Sequence, residues 1–181
     1  ARDGDLRELG PFYYLMASSA TLAEALEREE RYGLIVSEGV RSSFRIADTL
    51  VVYLECVGVE RRIARHEAEF WLTCTLRKAR QFTGRNLTPK HAGFIHEREG
   101  DLSEVERFFG MQPQFCELND RIAFAKEDAD LPFVSSDPYL GRLLGHMADL
   151  ARERRSGLNP LATRVENAIT SRLPHGTATL A

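Results

Sequence analysis

The sequence predicts an α+β protein, with an antiparallel sheet of about five strands and helices packed on it. Amphipathic helical segments recur along the 181 residues. Between them lie paired strand-like segments joined by short turn sequences, which is typical of β-hairpins. The strands do not alternate singly with helices, which argues against a parallel, doubly wound sheet. C-terminal helices are expected to lead to a linker.

The first half of the chain is predicted to form a capped helix, a hairpin and a long helix. Thr21–Glu24 fits a capping box, in which both side chains satisfy backbone N–H groups of the first turn, and this helix ends at Gly39. Val40–Val57 alternates apolar and polar residues around Ala47–Thr49, which indicates a hairpin. Glu60–Phe82 carries two apolar stripes, so this helix is expected to pack on two sides.

The second half is predicted to continue with a strand, a helix, a second hairpin and two helices. In order, these are Pro89–His96, Asp101–Gly110, the strand pair Gln114–Leu118 and Arg121–Ala125, Pro138–Arg155 and Leu161–Leu173. Each of the last two helices follows a start signal, in which an Asp or Asn precedes a Pro.

Composition limits the class of protein. A formal net charge of −3 argues against a nucleic-acid-binding surface over the whole chain. Cys56, Cys74 and Cys116 are far apart and form no CxxC pair, which predicts free thiols in a reducing cytoplasm. No apolar run approaches the length that spans a membrane. A cytoplasmic protein without membrane contact is therefore expected.

No pattern of residues predicts catalysis, a metal or a cofactor. His66-Glu67 begins like a zinc-protease motif, but Phe70 stands where the second His would be needed. His91 and His96 are expected at the solvated ends of a strand, pointing to opposite faces. No nucleophile is accompanied by a base and an orienting group, so the chain is not expected to be an enzyme.

Aromatic residues on elements that should meet favour an apolar cavity for a small molecule, although such residues usually belong to the core. Glu67 lies between the two stripes of the long helix, where a charge is costly unless it is paired or faces a wet cavity. Structural ion pairing is one explanation. The other is that Glu67 anchors an amine-bearing ligand between this helix and the sheet. The candidate ligand-binding residues are Tyr14, Tyr53, Glu67, Phe70, Trp71 and Phe94.

Four segments also match known patterns in order along the chain. Leu9–Leu26 is similar to a "GxxGYLxxSSPTLGEAL" run, with Ala20 in place of Pro and Ala23 in place of Gly. Leu102–Gly110 is similar to "LSEYRRFFG", His66–Phe70 to the helix after a first hairpin, and Leu173–Leu180 to an interdomain hinge. Together they resemble AraC/XylS-type transcription regulators, in the subgroup whose N-terminal region is called an arabinose-binding domain.

The resemblance implies an effector-binding and dimerisation domain over residues 1–155 and a helical linker over 156–181. A helix-turn-helix domain would follow, and DNA would be bound through that domain alone. A small-molecule effector would select one domain arrangement and so control the DNA-binding domain. Two alternatives stay open: an enzyme domain with a buried site, and a dimerisation module without a ligand.

The helix Pro138–Arg155 is the candidate dimer interface. Its apolar stripe either covers the sheet or binds a second copy, and a symmetric dimer matches the paired half-sites that such regulators read. A homodimer is therefore predicted. The candidate interface residues are Leu140, Leu143, Leu144 and Met147.

Overall fold

The computed structural model describes residues 4–57 and 64–156, and it places Val165 and Ile169 in helical conformation. Its helices are α1 (Pro11–Ala17), α2 (Leu22–Val36), α3 (Arg65–Thr83), α4 (Ser103–Phe109) and α5 (Pro138–Ser156), and its strands are β1 (Val40–Ile46), β2 (Thr49–Cys56), β3 (His91–Gly93) and β4 (Asp120–Ala125). Short 3₁₀ helices span Leu6–Leu9 and Lys126–Asp130. The α+β class is confirmed.

The predicted linker, with its helix Leu161–Leu173, lies outside the described residues apart from Ser156, Val165 and Ile169. Its prediction stays a prediction.

Among the described residues the sheet has four antiparallel strands in the order β1-β2-β4-β3, one fewer than the five or so that were predicted. Gln114–Leu118, the expected fifth strand, forms an isolated parallel bridge to Gly93 instead of a hairpin with β4. Cys116 has a φ of 60°, which lies in the left-handed region and interrupts the extended backbone that a ladder needs. The first hairpin, β1 with β2, is confirmed in full register.

Local sequence sets the ends of the helices. The Thr21 hydroxyl accepts from the Glu24 N–H at 3.3 Å, and the Glu24 carboxylate accepts from the Ala20 N–H at 2.6 Å. The forward bond of the predicted capping box is therefore present, whereas the Glu24 carboxylate reaches back to Ala20, the residue before the N-cap. α3 ends at Gly84, whose φ of 66° suits the left-handed cap of a helix. Asp137 caps α5 by accepting from the first two backbone N–H groups of that helix.

Two helices, α2 and α3, pack on one face of the sheet, and α1 and α5 pack against α2. The contact between α3 and the sheet is close packed: Leu72 and Leu76 on the helix, Leu50 on β2 and Ile122 on β4 are all 0% exposed. Burial of such side chains is the main favourable term in the stability of the fold.

A glycine allows α5 to pack closely against α2. Gly141 faces the Arg28 guanidinium, and a Cβ added to this glycine would lie 2.8 Å from one of its nitrogens. That guanidinium is fixed by hydrogen bonds to the Leu15 carbonyl at 2.6 Å and to Glu24 at 2.7 Å. Gly145, one turn later on α5, has no atom within 4 Å of an added Cβ.

The two glycines of α5 should respond in opposite ways to the same substitution. Gly145→Ala should raise the free energy of unfolding by about 0.5–1 kcal/mol, because alanine favours the helix. Gly141→Ala should lower it, because the added methyl group displaces Arg28 from its hydrogen bonds. Urea unfolding followed by circular dichroism measures both. Equal stabilisation by the two substitutions would show that Gly141 is not constrained by this contact.

Candidate functional site

The structure distributes the predicted ligand-binding residues over several places. Tyr14 is 44% exposed on α1, with its ring edge against Tyr13. Phe70 and Trp71 meet edge to face at 5.7 Å on α3, where Phe70 is exposed and Trp71 packs partly against the core. Phe94 is buried in a separate aromatic cluster, stacked on Phe115 at 5.5 Å.

A different glutamate of α3 reaches the Phe94 cluster. Glu69 Oε1 lies 2.8 Å from His96 Nε2, and Glu69 Oε2 lies 2.6 Å from the Arg98 guanidinium. His96 is buried and contacts both Phe94 and Phe115, so the expectation of a solvated strand end is wrong for this residue. The reason is tertiary, because the Glu69 carboxylate supplies the polar partner that lets an imidazole lie among aromatic rings.

Tyr53 lines a groove of about 410 Å³ between α2 and the strands β1 and β2, which we call the α2–β1 groove. Small residues leave this space open. On β1, Ser42 stands opposite Leu54 of β2, and Gly33 of α2 adds no side chain over it. The other polar residues that line the groove are Glu29, Glu30, Arg41, Ser43, Glu55 and Asn119.

Glu67 lies near one end of this groove. Its Oε1 is 3.9 Å from the place where a Cβ on Gly39 would stand. Gly39 belongs to the turn between α2 and β1, and its neighbour Val40 lines the groove. The structure therefore brings Tyr53 and Glu67 to the same region, whereas Tyr14, Phe70, Trp71 and Phe94 are not among the residues that line it.

One residue that lines the groove, Glu29, is held in a buried ion pair. The Lys78 Nζ of α3 lies 2.6 Å from Glu29 Oε1 of α2, and the two side chains are 5% and 7% exposed, respectively. The Met16 sulfur is 4.0 Å from the same ammonium. Structural ion pairing with Glu29 therefore accounts for the buried charge of Lys78. Removing two charges from water is costly, so each depends on the other.

Glu29 also borders a void of about 10 Å³ between α2 and α3. This is close to the space that one water molecule needs. One carboxylate therefore faces both the α2–β1 groove and the interior beside Lys78. One turn before Lys78, burial raises the pKa of the Cys74 thiol, which keeps that thiol neutral.

Glu29 was not predicted from the sequence, although a signal was present. Leu22, Leu26 and Tyr32 are buried on one side of α2, and helical spacing places Glu29 on that same side. A charge inside an apolar stripe predicts a buried partner. The partner could not be identified, because Lys78 lies 49 residues away in the sequence.

The structure divides the predicted dimer residues between two sides of α5. Leu144 packs against the core and lines an apolar space of about 370 Å³ between α1, α2 and α5. Leu140 is half-buried. Leu143 and Met147 are 49% and 53% exposed. Together with Tyr139 and Leu150, they form a stripe at helical spacing that we call the outer stripe of α5.

Two further properties concern the part of the chain that the structure describes. None of its helices has the length and apolar character required to cross a membrane. Within the same residues, no group of three or more His, Cys, Asp or Glu side chains is arranged to hold a metal ion.

Breaking the buried pair from one side should be more harmful than removing both charges. Lys78→Met leaves the Glu29 carboxylate buried without its partner and should cost about 3–5 kcal/mol of stability. Combining Lys78→Met with Glu29→Leu should recover most of this loss. Urea unfolding of the wild type and the two variants measures the difference. A double variant as unstable as Lys78→Met alone would contradict this account.

Comparisons with known proteins agree with the fold. Residues 1–133 match the model of the family described as the arabinose-binding domain of AraC transcription regulator, N-terminal. None of the curated proteins compared with the chain matches it. The crystal structure of the transcriptional regulator CdpR from Pseudomonas aeruginosa is similar, with a TM-score of 0.62 and 16% identity.

That similarity covers 98% of this chain and 57% of the CdpR chain, and at this identity it shows a shared fold. The family match is the stronger finding, because it extends over well more than half of the sequence and over every strand of the sheet. The chain belongs to the family of N-terminal arabinose-binding domains of AraC-type transcription regulators.

Proposed function

We propose that this chain is the ligand-sensing domain of an AraC-type transcription regulator and that it binds a small-molecule effector in the α2–β1 groove. The observation that carries this proposal is a groove of about 410 Å³ that is lined by Glu29, one partner of a buried ion pair. Its volume lies in the range of small-molecule sites. Its polar side chains come from both a helix and two strands, so they can fix the orientation of a ligand.

The charge of the groove favours an amine-bearing effector. Among the described residues, three acidic residues, Glu29, Glu30 and Glu55, line it together with one basic residue, Arg41. Glu67 adds a fourth carboxylate near one end. Charge-assisted hydrogen bonds to an ammonium group are stronger than neutral ones. The Tyr53 ring offers a face for the same cation.

The effector would act by population shift, because it stabilises the arrangement that it binds best. The role is regulatory, and DNA would be contacted through a helix-turn-helix domain that follows this one. Cys74 and Cys116 are free thiols, which suits a cytoplasmic protein.

The domain would also form a homodimer through the outer stripe of α5. Four large apolar side chains on one helix face, between 42% and 71% exposed, form a contiguous surface that a second copy can cover symmetrically. Leu140 and Leu144, on the side turned towards α1 and α2, would support this helix from within.

Amines should bind the groove in preference to acids. Isothermal titration with putrescine and agmatine should give saturable binding that weakens with added salt, and succinate should give none. Glu30→Gln and Glu67→Gln should each weaken amine binding about two- to fivefold, as expected for exposed charge pairs. Glu27→Gln is the matched control, because Glu27 is exposed on α2 and does not line the groove. Tighter binding of acids, or equal effects of all three substitutions, would refute the assignment.

The outer stripe should hold the dimer together. Leu143→Glu with Met147→Glu should convert a dimer into a folded monomer, because two charges would be buried in the interface. Sedimentation gives the mass and circular dichroism the helix content. Arg142→Glu serves as the control, since Arg142 is exposed outside the stripe. A wild type that is monomeric at high concentration, or a double variant that loses its helices, would exclude this interface.

A further inference from the structure

We infer that α2 transmits the occupancy of the α2–β1 groove to α5, so that binding an amine changes how α5 is seated on the domain. This inference rests on the proposed function, since it describes how ligand binding at the same site would change the position of another helix. It follows from three features of the structure: the contacts of α2, the packing under α5 and the position of Glu29.

One turn of α2 contacts both the groove and α5. Glu29 faces the groove and Lys78. Two and three residues later, the Arg31 guanidinium and the Tyr32 hydroxyl donate to the same oxygen of Asp149 on α5, at 2.8 and 2.9 Å. The hydrogen bond from Tyr32 lowers the pKa of the Asp149 carboxyl, so this carboxyl is charged at neutral pH. A shift of this turn therefore moves both sets of contacts together.

The beginning of α5 rests on the same turn of α2. Arg28 immediately precedes Glu29, and its guanidinium lies against Gly141 of α5. Arg28 also donates to the Ser18 hydroxyl at 3.1 Å, and the Ser18 carbonyl accepts from the Asp137 N–H at the cap of α5. The polar contacts of α5 at Gly141 and at Asp149 thus both converge on Arg28–Tyr32.

The packing around α2 is uneven, and this decides where a displacement is absorbed. The α3–sheet contact is close packed and resists deformation. Between α1, α2 and α5, in contrast, lies an open apolar groove of about 370 Å³, and the α5 residues Leu144 and Ala148 that line it are only partly buried. The apolar side chains of α5 are therefore less completely buried than Leu72 and Leu76 of α3. A movement of α2 is therefore accommodated by a shift of α5 relative to α1 and α2, and the packing between α3 and the sheet is unchanged.

Glu29 supplies the reason for α2 to move. An ammonium group in the groove competes with Lys78 for the Glu29 carboxylate. A Lys78 ammonium that loses its partner in the dry interior is costly, so the ligand favours an arrangement in which α2 is displaced from α3. Because α5 carries the outer stripe, its reseating would alter the geometry of a dimer formed there.

The test uses the whole 181-residue chain and needs no ligand. Glu29→Gln removes the charge that pairs with Lys78 and so weakens the contact between α2 and α3. Hydrogen–deuterium exchange then measures the protection of α5 and of the strands separately. Exchange in α5 should accelerate about fivefold or more, the usual size of coupling between sites, while β2 and β4 stay protected. Glu27→Gln on the same helix should leave α5 unchanged.

A second set of variants tests the contacts between Tyr32 of α2 and Asp149 of α5, through which the coupling would pass. Tyr32→Phe with Asp149→Asn should accelerate exchange in α5 on its own, and adding Glu29→Gln should then give no further acceleration. Independent, additive effects would overturn the inference, as would unchanged α5 exchange in Glu29→Gln.

Glu29→Gln could also accelerate exchange in the strands. In that case the double variant Glu29→Gln with Lys78→Met is used instead, because these two substitutions together leave no unpaired buried charge. Unchanged α5 exchange in that variant, with β2 and β4 protected, would equally overturn the inference. The amine titration separates this failure from that of the proposed function. If amines bind but hydrogen exchange in α5 does not change, only the coupling between the groove and α5 is refuted. If exchange in α5 responds to Glu29→Gln but amines do not bind, only the assignment of an amine effector is refuted.

Discussion

The ion pair between Glu29 and Lys78 is the interaction on which the arrangement of the helices depends. Two charges that are more than nine-tenths buried are tolerated only at contact distance, here 2.6 Å. This requirement fixes α2 against α3, and α3 is in turn fixed by its close packing on the sheet. The position of α2 then defines both the α2–β1 groove and the surface on which α5 rests.

The molecule therefore combines a rigid part with a more adaptable one. The sheet and α3 form a dense core, in which side chains from both are completely buried. Unfilled spaces of about 410 and 370 Å³ lie beside α2, the first against the strands and the second against α1 and α5. A sensing domain benefits from this division, because the rigid part keeps the geometry of the site while the adaptable part can respond to a ligand.

Family membership and geometry address different questions. The family match shows that the chain is the N-terminal domain of an AraC-type regulator, but it does not identify an effector. The geometry adds a chemical feature, since acidic residues outnumber basic ones among the described residues that line the groove. The same geometry separates the two sides of α5, one packed within the domain and one exposed, and this separation reconciles the two explanations of its apolar stripe.

The sequence by itself determined the features that depend on neighbouring residues. The α+β class, the first hairpin and the Thr21 cap of α2 all follow from local spacing, and the structure confirms them. The order of segments along the chain was also sufficient to indicate the family.

Only the tertiary structure decided what depends on distant residues. The segment Gln114–Leu118 looks like a strand, but the left-handed backbone at Cys116 and the bridge to Gly93 take it out of the sheet. The sequence pointed to Glu67 as the polar anchor of a ligand, which stays a prediction, and the structure adds Glu29 as a residue that lines the α2–β1 groove. Glu29 is paired across 49 residues, and no local pattern encodes which of many lysines will meet a given carboxylate once the helices have packed.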